Sequence, residues 1–251
     1  MVTVGRFCEF SGALVWSQTG GYSYTMFTLI QATENNTHSE LMQAAFRLRK
    51  KVFADQLNWD VPVHGDQEFD AYDQPGTRYL IWCSPDREKL YGLIRLLPTS
   101  GPTLLYDVFG ATHGNAPKLV ADDIFEGTRM CIDEDLVAQD FPDLDAGAGF
   151  NLLFLALCEA GMALGVRRMV SNFEPAMSRV YRRAGLDYVM HGKADGYGKR
   201  PVCCASFEVS KPVLTAMRRK IGVDLPVLTL PQGFAPLPVP PAAPAALAEA
   251  M

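Results

Sequence analysis

The 17 residues from Ala148 to Leu164 constrain the fold most, because they are apolar on every side of a helix. Glu159 is the single charge in this stretch, and the large side chains are all apolar: Phe150, Leu152, Leu153, Phe154, Leu155 and Leu157. A helix without a polar face has to be buried. The sequence therefore predicts a buried helix at residues 148–164, packed on a sheet.

Segments with strand and helix patterns surround this helix in a regular order. Apolar or alternating runs predict strands at residues 26–30, 78–83, 90–97, 126–132, 168–172 and 201–209. Helical spacing predicts further helices at residues 39–53, with Thr37 as a cap, and at residues 175–184 and 213–221. A hairpin followed by alternating helices and strands indicates a single-domain α/β fold, with a mixed central sheet and helices on both faces. Residues 58–77 are predicted to form a long functional loop.

Both ends of the chain differ from this folded part. Residues 1–25 carry few charges and no signal-peptide pattern, so they are either an extension or precede a natural start at Met26. Seven of the 17 prolines lie between Pro226 and Pro244, and proline cannot donate the backbone hydrogen bonds of a helix or sheet. We therefore expect one domain at residues 26–225 and an extended, proline-rich tail at residues 226–251.

Composition argues against several classes of protein. The formal net charge of −5 does not suit a general nucleic-acid binder, which needs a basic surface. No run reaches about 18 apolar residues, so no transmembrane helix is expected. The six cysteines form no C-x-x-C pair, which favours buried, reduced thiols in the cytoplasm over disulfides or a metal site. A catalytic cysteine stays possible, although no motif places a histidine beside one.

Three carboxylates stand close together in the predicted loop, at Glu68, Asp70 and Asp73. If the chain is extended there, alternation places Glu68 and Asp70 on one face. Paired carboxylates can hold an ammonium group or act as a base. The alternative is an acidic loop in contact with solvent.

Charged residues also interrupt two apolar strands. Arg95 must either pair with an aspartate of the acidic loop, hold a substrate carboxylate, or reach water at a strand edge. On the next strand, strict alternation places Glu126 and Thr128 on one face and Arg129 on the other. An ionisable pair beside an apolar strand suits acid–base chemistry, and equally a structural ion pair.

An arginine and two aromatic residues follow one another at the end of the first predicted helix. Arg49 and Phe53 are one helical turn apart, and Trp59 follows in the loop. An aromatic ring beside an arginine can pack against a base or a sulfonium group. In the alternative, Phe53 belongs to the core and Arg49 to the surface.

Taken in order, these residues resemble one family closely: the acyl-homoserine-lactone synthases, which are the autoinducer synthases of bacterial quorum sensing. The resemblance covers roughly residues 26–225. Its motifs are Leu48-Arg49-Lys-Lys-Val-Phe53, Asn58-Trp59-Asp60, Glu68-Phe-Asp70-Ala-Tyr-Asp73, Gly92-Leu-Ile-Arg95-Leu-Leu-Pro-Thr-Ser-Gly-Pro102, Phe109, His113-Gly114, Glu126-Gly-Thr-Arg129 and Arg183-Ala-Gly-Leu.

This resemblance implies a fold similar to the GNAT acyltransferases and a reaction between two substrates. S-adenosylmethionine gives the homoserine part, and an acyl carrier protein or coenzyme A gives the acyl group. The amine attacks the thioester; the carboxylate then attacks the carbon next to sulfur and expels 5′-methylthioadenosine. No metal or cofactor is implied, because S-adenosylmethionine is a substrate.

The resemblance also implies which residues do the chemistry. Asp70 and Asp73 would orient the substrate ammonium and tie down Arg95 and Arg129. Glu126 is our candidate for the base, acting through a water, because an ammonium group cannot attack a thioester. No covalent nucleophile is needed, since the thioester is already activated and proximity supplies much of the rate.

Other residues would bind the two substrates. The resemblance assigns three positions to a part of the chain that orders over S-adenosylmethionine: Arg49, Phe53 and Trp59. The family often has a Thr or Ser in its acyl pocket, and the nearest match here is Ser171. Phe173 could shorten or reshape this pocket, and Thr128 is assigned beside it.

Two rival functions remain from the sequence. A generic GNAT-type N-acyltransferase would use acyl-coenzyme A, but the glycines at residues 145–149 lack the basic or amide residue that usually precedes such a turn. A non-enzymatic interaction module would act through the proline-rich tail. Basic runs are either solvated faces or a docking patch for an acidic carrier, at residues 167–168, 179, 182–183 and 218–220.

Overall fold

The structure, a computed structural model, describes residues 14–16, 22–24, 26–33, 39–114, 119–145 and 147–231. Its strands are, in chain order, β1 (Leu14–Trp16), β2 (Tyr22–Tyr24), β3 (Met26–Gln31), β4 (Val63–His64), β5 (Gln67–Glu68), β6 (Arg78–Cys83), β7 (Leu90–Pro98), β8 (Ile124–Ile132), β9 (Arg168–Phe173), β10 (Val189–Ala194), β11 (Val202–Glu208) and β12 (Leu228–Thr229). Its α-helices are α1 (Glu40–Arg49), α2 (Leu104–Asp107), α3 (Glu134–Asp140), α4 (Ala148–Leu164), α5 (Met177–Arg183) and α6 (Lys211–Ile221). A π-helical turn (Lys50–Gln56) continues α1, and a 3₁₀ turn (Gly110–Thr112) follows α2. Within these residues, no helix is both long enough and apolar enough to span a membrane.

Eight of the described strands form one mixed sheet in the order β10-β11-β9-β8-β7-β6-β3-β12. Strands β3, β6, β7 and β8 pair antiparallel in succession, and β9, β11 and β10 do the same. The two groups are joined by the parallel pair β8–β9, and β12 lies parallel to β3. Two small antiparallel pairs, β1–β2 and β4–β5, stand apart from this sheet. The predicted mixed sheet is confirmed.

The parallel strands β8 and β9 separate soon after they meet. They share three residue pairs, of which the last is Glu126–Val170, although β8 runs on for six residues and β9 for three. A side-chain bond crosses the gap just beyond, where Ser171 Oγ donates to the Gly127 carbonyl at 3.2 Å. This separation opens a cleft in the centre of the sheet.

Helices cover both faces of the sheet, as alternate residues of β6 show. Tyr79 and Ile81 point to the cluster built around α1, so we call this side the α1 face. Leu80 and Trp82 point to the larger cluster built around α4, so the opposite side is the α4 face. Alternation along a strand sends neighbouring side chains to opposite faces. The chain thereby makes two separate cores from one sheet.

Helix α4 has the predicted bounds, and its single charge is bound by later parts of the chain. Glu159 accepts a hydrogen bond from Arg218 Nη2 at 2.7 Å and from the backbone N–H groups of Val227 and Leu228 at 3.0 and 2.8 Å. Val227 is fully buried, and Leu228 and Thr229 pair with β3. The sheet therefore continues past residue 225, where the sequence predicted the folded domain to end.

The first helix and the loop after it differ from their predictions. The N-cap is Ser39, whose Oγ accepts from the Met42 N–H at 3.4 Å; the predicted cap, Thr37, lies outside the described residues. The chain stays helical to Gln56 instead of ending at Phe53, because a π-helical turn follows α1. The predicted loop at residues 58–77 contains the short β4–β5 hairpin.

Helices α2 and α3 and strand β10 were not predicted. Asp133 is the N-cap of helix α3, since its side chain accepts a hydrogen bond from the Leu136 N–H at 3.2 Å. A local cap rather than an apolar pattern therefore starts this helix. Strand β10 is an edge strand in which no side chain is buried, which explains the missing apolar run. The pair β1–β2 lies inside the predicted N-terminal extension, and most of the predicted tail, from residue 232, lies outside the described residues.

We predict that replacing Glu159 by Ala destabilises the protein strongly. The change leaves the Arg218 guanidinium and two buried N–H groups without their acceptor, which costs about 3 kcal/mol of unfolding free energy. Urea unfolding at neutral pH measures this. The matched control is Glu174→Ala, because Glu174 makes a partly exposed ion pair with Arg200 and its loss should cost less than about 0.5 kcal/mol. Equal stabilities of the two variants would contradict the role given to Glu159.

Candidate functional site

Arg49 is fully buried between α1 and the acidic loop, which excludes the alternative of a surface arginine. The apolar face of α1 packs on the sheet, and the last turn of the helix carries Arg49 into the protein. Its Nε donates to Glu68 Oε2 at 2.6 Å, and its Nη1 and Nη2 donate to the two oxygens of Asp73 at 2.8 and 3.0 Å. A forked pair of this kind fixes the carboxylate in both position and orientation.

Arg95 is also fully buried, on the central strand β7. Its Nη1 and Nη2 donate to the two oxygens of Asp70 at 2.5 and 3.0 Å, and Nη1 also lies 2.9 Å from Asp73 Oδ1. Its Nε donates to Thr128 Oγ1 at 3.0 Å. Arg95 therefore pairs with both aspartates of the acidic loop and does not reach water at a strand edge.

Arg129 reaches the same carboxylates because β8 has a bulge. The β7–β8 register shifts by one residue between Leu93 and Arg95, and Arg129 has the left-handed backbone angle φ of 52°. Its Nε lies 3.2 Å from both oxygens of Glu68, and its Nη2 donates to Asp70 at 3.1 Å. The prediction that Arg129 lies on the opposite face from Thr128 is therefore wrong, since an extra residue in a strand breaks the alternation.

These contacts join three arginines and three carboxylates into one buried, neutral group, which we call the ion cluster: Arg49, Arg95, Arg129, Glu68, Asp70 and Asp73. Burial pushes the pKa of Asp73 upward, but the neighbouring Arg49 and Arg95 outweigh it and hold that pKa well below its usual range. Tyr79 supports the cluster by donating its hydroxyl to Asp73 at 2.6 Å. Asp73 is thus held ionised at neutral pH.

Aromatic rings line the edge of the ion cluster. The guanidinium of Arg129 lies 5.5 Å from the ring centre of Phe53, which in turn lies 5.2 Å from that of Trp59. Phe53 is buried, whereas Trp59 is 39% exposed, so the pair leads from the cluster to solvent. Tyr72 stacks near Arg95 at 5.6 Å. Such a wall can pack against a flat or cationic ligand.

Glu126 lies apart from these ion pairs although it shares their face of the sheet. It is fully buried, and neither carboxylate oxygen makes a well-aligned hydrogen bond with the described part of the chain. Burial raises its pKa to about 7, despite the opposing influence of the Leu104 and Leu105 amides, Arg95 and Arg129. A carboxyl group with a pKa near neutrality can accept and release a proton at physiological pH.

A continuous piece of chain covers Glu126, and we call residues 103–114 the cover segment. Its Leu105 packs with Ile124 and Val170, which flank Glu126 on β8 and β9. Tyr72 ties the cover segment to the acidic loop, because its hydroxyl donates to Asp107 at 2.9 Å. The cover segment therefore shields Glu126 from water and connects it to the ion cluster.

An apolar cavity of about 50 Å³ lies on the α4 face, where β8 and β9 separate. Ser171 lines it, together with Gly127 from across the cleft and Phe154 from α4. Phe173 packs edge-on against Tyr181, another lining residue, at 4.9 Å. Thr128 points away from this cavity, since it accepts the bond from Arg95 on the α1 face.

A shallow basic groove of about 400 Å³ lies at the surface near α5. Three arginines line it, Arg179, Arg182 and Arg200, together with Pro175 and Pro201. Glu174 pairs with Arg200 at 3.3 Å and offsets part of the charge. The groove is suited to an anionic partner.

The structure brings together most of the residues singled out from the sequence and adds others. Glu68 received no role from the resemblance, yet it binds two arginines at the centre of the ion cluster. No role was predicted for Tyr79, for Tyr72 or for the cover segment, although the sequence motifs included Tyr72, Phe109 and His113. Tyr79 lies in an apolar strand that looks like ordinary core, so the sequence carries no signal for its bond to Asp73.

Comparison with known proteins gives one consistent result. The family model described as "Autoinducer synthase" matches residues 32–216. An acyl-homoserine-lactone synthase of Aeromonas hydrophila is 33% identical over 150 residues, which is 59% of this chain and 69% of the relative. One of Agrobacterium fabrum is 29% identical over 179 residues, which is 68% of this chain and 83% of the relative.

Solved structures share the fold. The CoA-dependent acyl-homoserine lactone synthase BjaI, solved with MTA, matches with a TM-score of 0.71 at 21% identity, over 82% of this chain and 93% of that one. The AHL synthase LasI matches with a TM-score of 0.66 at 20% identity, over 81% and 98% of the two chains. The arrangement of sheet and helices is therefore the one found in those enzymes.

We predict that Asp73→Asn lowers the unfolding free energy by about 3–5 kcal/mol at pH 7, because it leaves buried guanidinium charge without its partner. The pKa of Asp73 is lower in the folded protein than in the unfolded chain, so the stabilisation is complete above the unfolded pKa of about 3.9 and declines as the pH falls below it. Urea unfolding between about pH 3 and 7 measures both effects. Asp66→Asn is the control, since Asp66 is largely exposed and lies 4.0 Å from Arg47. The account would be contradicted if the difference in unfolding free energy between the wild type and Asp73→Asn stayed constant down to about pH 3. A loss of stability no larger than that of Asp66→Asn would contradict it as well.

Proposed function

The chain belongs to the autoinducer synthase family, and on that premise we propose how it carries out the reaction of an acyl-homoserine-lactone synthase. The amino group of S-adenosylmethionine attacks the carbonyl of an acyl thioester and displaces the carrier thiol. The substrate carboxylate then attacks the carbon next to the sulfonium, which breaks the carbon–sulfur bond. The products are an N-acyl-homoserine lactone, 5′-methylthioadenosine and the free thiol.

The observation that carries the mechanism is the buried, unpaired carboxylate of Glu126. The substrate amine is an ammonium ion in water and cannot attack until a base removes a proton. Glu126, acting through a water, takes this proton, and its pKa of about 7 makes the carboxylate form available at neutral pH. The displaced thiolate takes up a proton in turn, so no net charge builds up in the site.

The ion cluster shapes the site that receives S-adenosylmethionine. Asp70 and Asp73 hold Arg95 and Arg129 in place, and their carboxylate oxygens orient the substrate ammonium. Arg49 has an indirect part in this site: its guanidinium is fully buried and holds the carboxylates in position.

The aromatic pair Phe53 and Trp59 forms the outer wall against S-adenosylmethionine. Aromatic faces attract a sulfonium and stack with an adenine, and Trp59 is exposed enough to meet a ligand. S-adenosylmethionine is consumed in this scheme, and we propose that no further cofactor or metal takes part. The sulfonium itself provides the leaving group for ring closure.

The acyl group enters the cleft between β8 and β9 and extends toward the α4-face cavity. Ser171 stands at its wall, and Phe173 limits it indirectly through Tyr181. Thr128 contributes from the other face by holding Arg95. The cavity is small, so a long acyl chain would have to displace apolar side chains around it.

The acyl donor is an acyl carrier protein or acyl-coenzyme A, and both are anionic. The basic groove near α5 is the surface on which we expect the donor to bind. One structural neighbour was solved with SAM and isopentyl-CoA, which supports a thioester of coenzyme A as one candidate. We place the reaction in the cytoplasm, where buried free thiols such as the five described cysteines stay reduced.

The family match favours this reaction over a generic GNAT-type N-acyltransferase, because it spans residues 32–216 and includes the whole ion cluster. The two reactions differ in one product, because only lactone synthesis releases 5′-methylthioadenosine. Purified protein is incubated with S-adenosylmethionine and matched acyl carrier protein and acyl-coenzyme A donors. Release of 5′-methylthioadenosine with at least one donor is the expected result, and acylation without this release would favour the generic enzyme.

We predict that Glu126→Gln keeps the fold but lowers kcat by about 10²–10⁴-fold, the usual contribution of a general base. In the wild-type enzyme kcat/KM rises with pH through about 7 and then levels off, because only the carboxylate accepts a proton. This rise should disappear in the variant. Glu88→Gln, in an exposed turn, is the control and should behave as the wild type. Near-normal turnover of Glu126→Gln would remove Glu126 as the base.

A further inference from the structure

The cover segment and the strand positions beneath it contain most of the unpartnered polar atoms of the described residues. Five of the seven buried side-chain atoms that lack a hydrogen-bond partner there lie in this region: Thr103 Oγ1, His113 Nε2, both carboxylate oxygens of Glu126 and Asn172 Oδ1. Buried polar atoms in folded proteins are almost always hydrogen-bonded. Such a concentration indicates that a polar ligand completes these bonds.

Asn172 lies on β9, across the cleft from β8, and on the same face of the sheet as Glu126. Glu126 and Val170 form the last residue pair between β8 and β9, and Asn172 is two residues further along β9. Residues two apart on a strand point to the same side. Val170 packs under Leu105 of the cover segment, so Asn172 also lies on this covered face.

The orientation of the Asn172 amide follows from its neighbours. Thr112 Oγ1 donates its one proton to the Phe109 carbonyl at 2.7 Å, so it can only accept from Asn172. The atom 2.8 Å from Thr112 Oγ1 is therefore the donor Nδ2. The carbonyl oxygen Oδ1 points the other way, where it is buried and has no partner among the described residues. It needs an N–H or O–H donor.

We propose that Asn172 Oδ1 accepts an N–H of the amino group of S-adenosylmethionine and holds this group beside Glu126, an inference that rests on the proposed function. After one proton has moved to Glu126, the amine keeps two N–H bonds and a lone pair for attack. One N–H is held by Asn172, which directs the lone pair at the thioester. A neutral amide suits this task, since a carboxylate without an arginine partner at this position would stabilise the unreactive ammonium ion.

Two variants of Asn172 and one of its neighbour test the proposal by 5′-methylthioadenosine release. Asn172→Ala should lower kcat by about tenfold or more, with little change in KM for the acyl donor. Asn172→Asp has the same shape, and its added negative charge should move the midpoint of the pH–rate profile upward, because it raises the pKa of both the amine and Glu126. Thr112→Val frees the amide to rotate and should lower kcat in the same direction.

The control is Asn151→Asp, the same chemical change at an asparagine of α4 whose Oδ1 is also unpartnered. It should leave the midpoint of the pH–rate profile unchanged. If the wild type is active and all three test variants keep its kcat and its pH–rate midpoint, the inference is overturned while the proposed function stands. An equal shift of the midpoint in Asn151→Asp would also overturn the inference. A wild type that releases no 5′-methylthioadenosine would overturn the proposed function and the inference with it.

Discussion

Three buried arginines and three buried carboxylates neutralise one another, and the structure of the α1 face depends on this pairing. The three arginines come from different elements: the end of α1, the middle of β7 and the bulge of β8. The three carboxylates all lie within one short segment, residues 68–73. Leaving any one of these charges without its partner inside the protein is costly. The cluster therefore fixes the acidic loop against the sheet and sets the position of α1 at the same time.

The same neutralisation explains why Glu126 differs from the other carboxylates. Each acid of the ion cluster has an arginine within 3.2 Å, so its oxygens are occupied by structural bonds. Glu126 is just as buried, but no arginine of the described residues pairs with it, so its burial raises its pKa. In the proposed mechanism, Glu126 lies where β8 and β9 separate, so that one face holds the amine while the cleft admits the thioester. Glu126 and the carboxylates of the ion cluster are thus distinguished by their pairing, not by their burial.

The sequence predicted the elements whose apolar pattern is strong and missed those that depend on local or distant contacts. The bounds of α4 and the central strands follow from hydrophobic spacing, and the cluster residues Arg49, Asp70, Asp73, Arg95 and Arg129 were recognised by their spacing in a family resemblance. The face of Arg129 was predicted wrongly because a bulge cannot be seen in an alternating pattern. The burial of Arg49 and the part played by Glu68 depend on partners that are distant in sequence. Asn172 looks like an ordinary polar residue until its amide partner is known.

The central claim is that burial without an ion-pair partner keeps Glu126 poised near neutral pH. The most direct measurement is a titration of its carboxyl carbon by ¹³C NMR in the substrate-free protein, assigned by the loss of one signal in the Glu126→Gln variant. The account predicts a midpoint of about 7. A midpoint near the ordinary glutamate value of about 4.3 would contradict it.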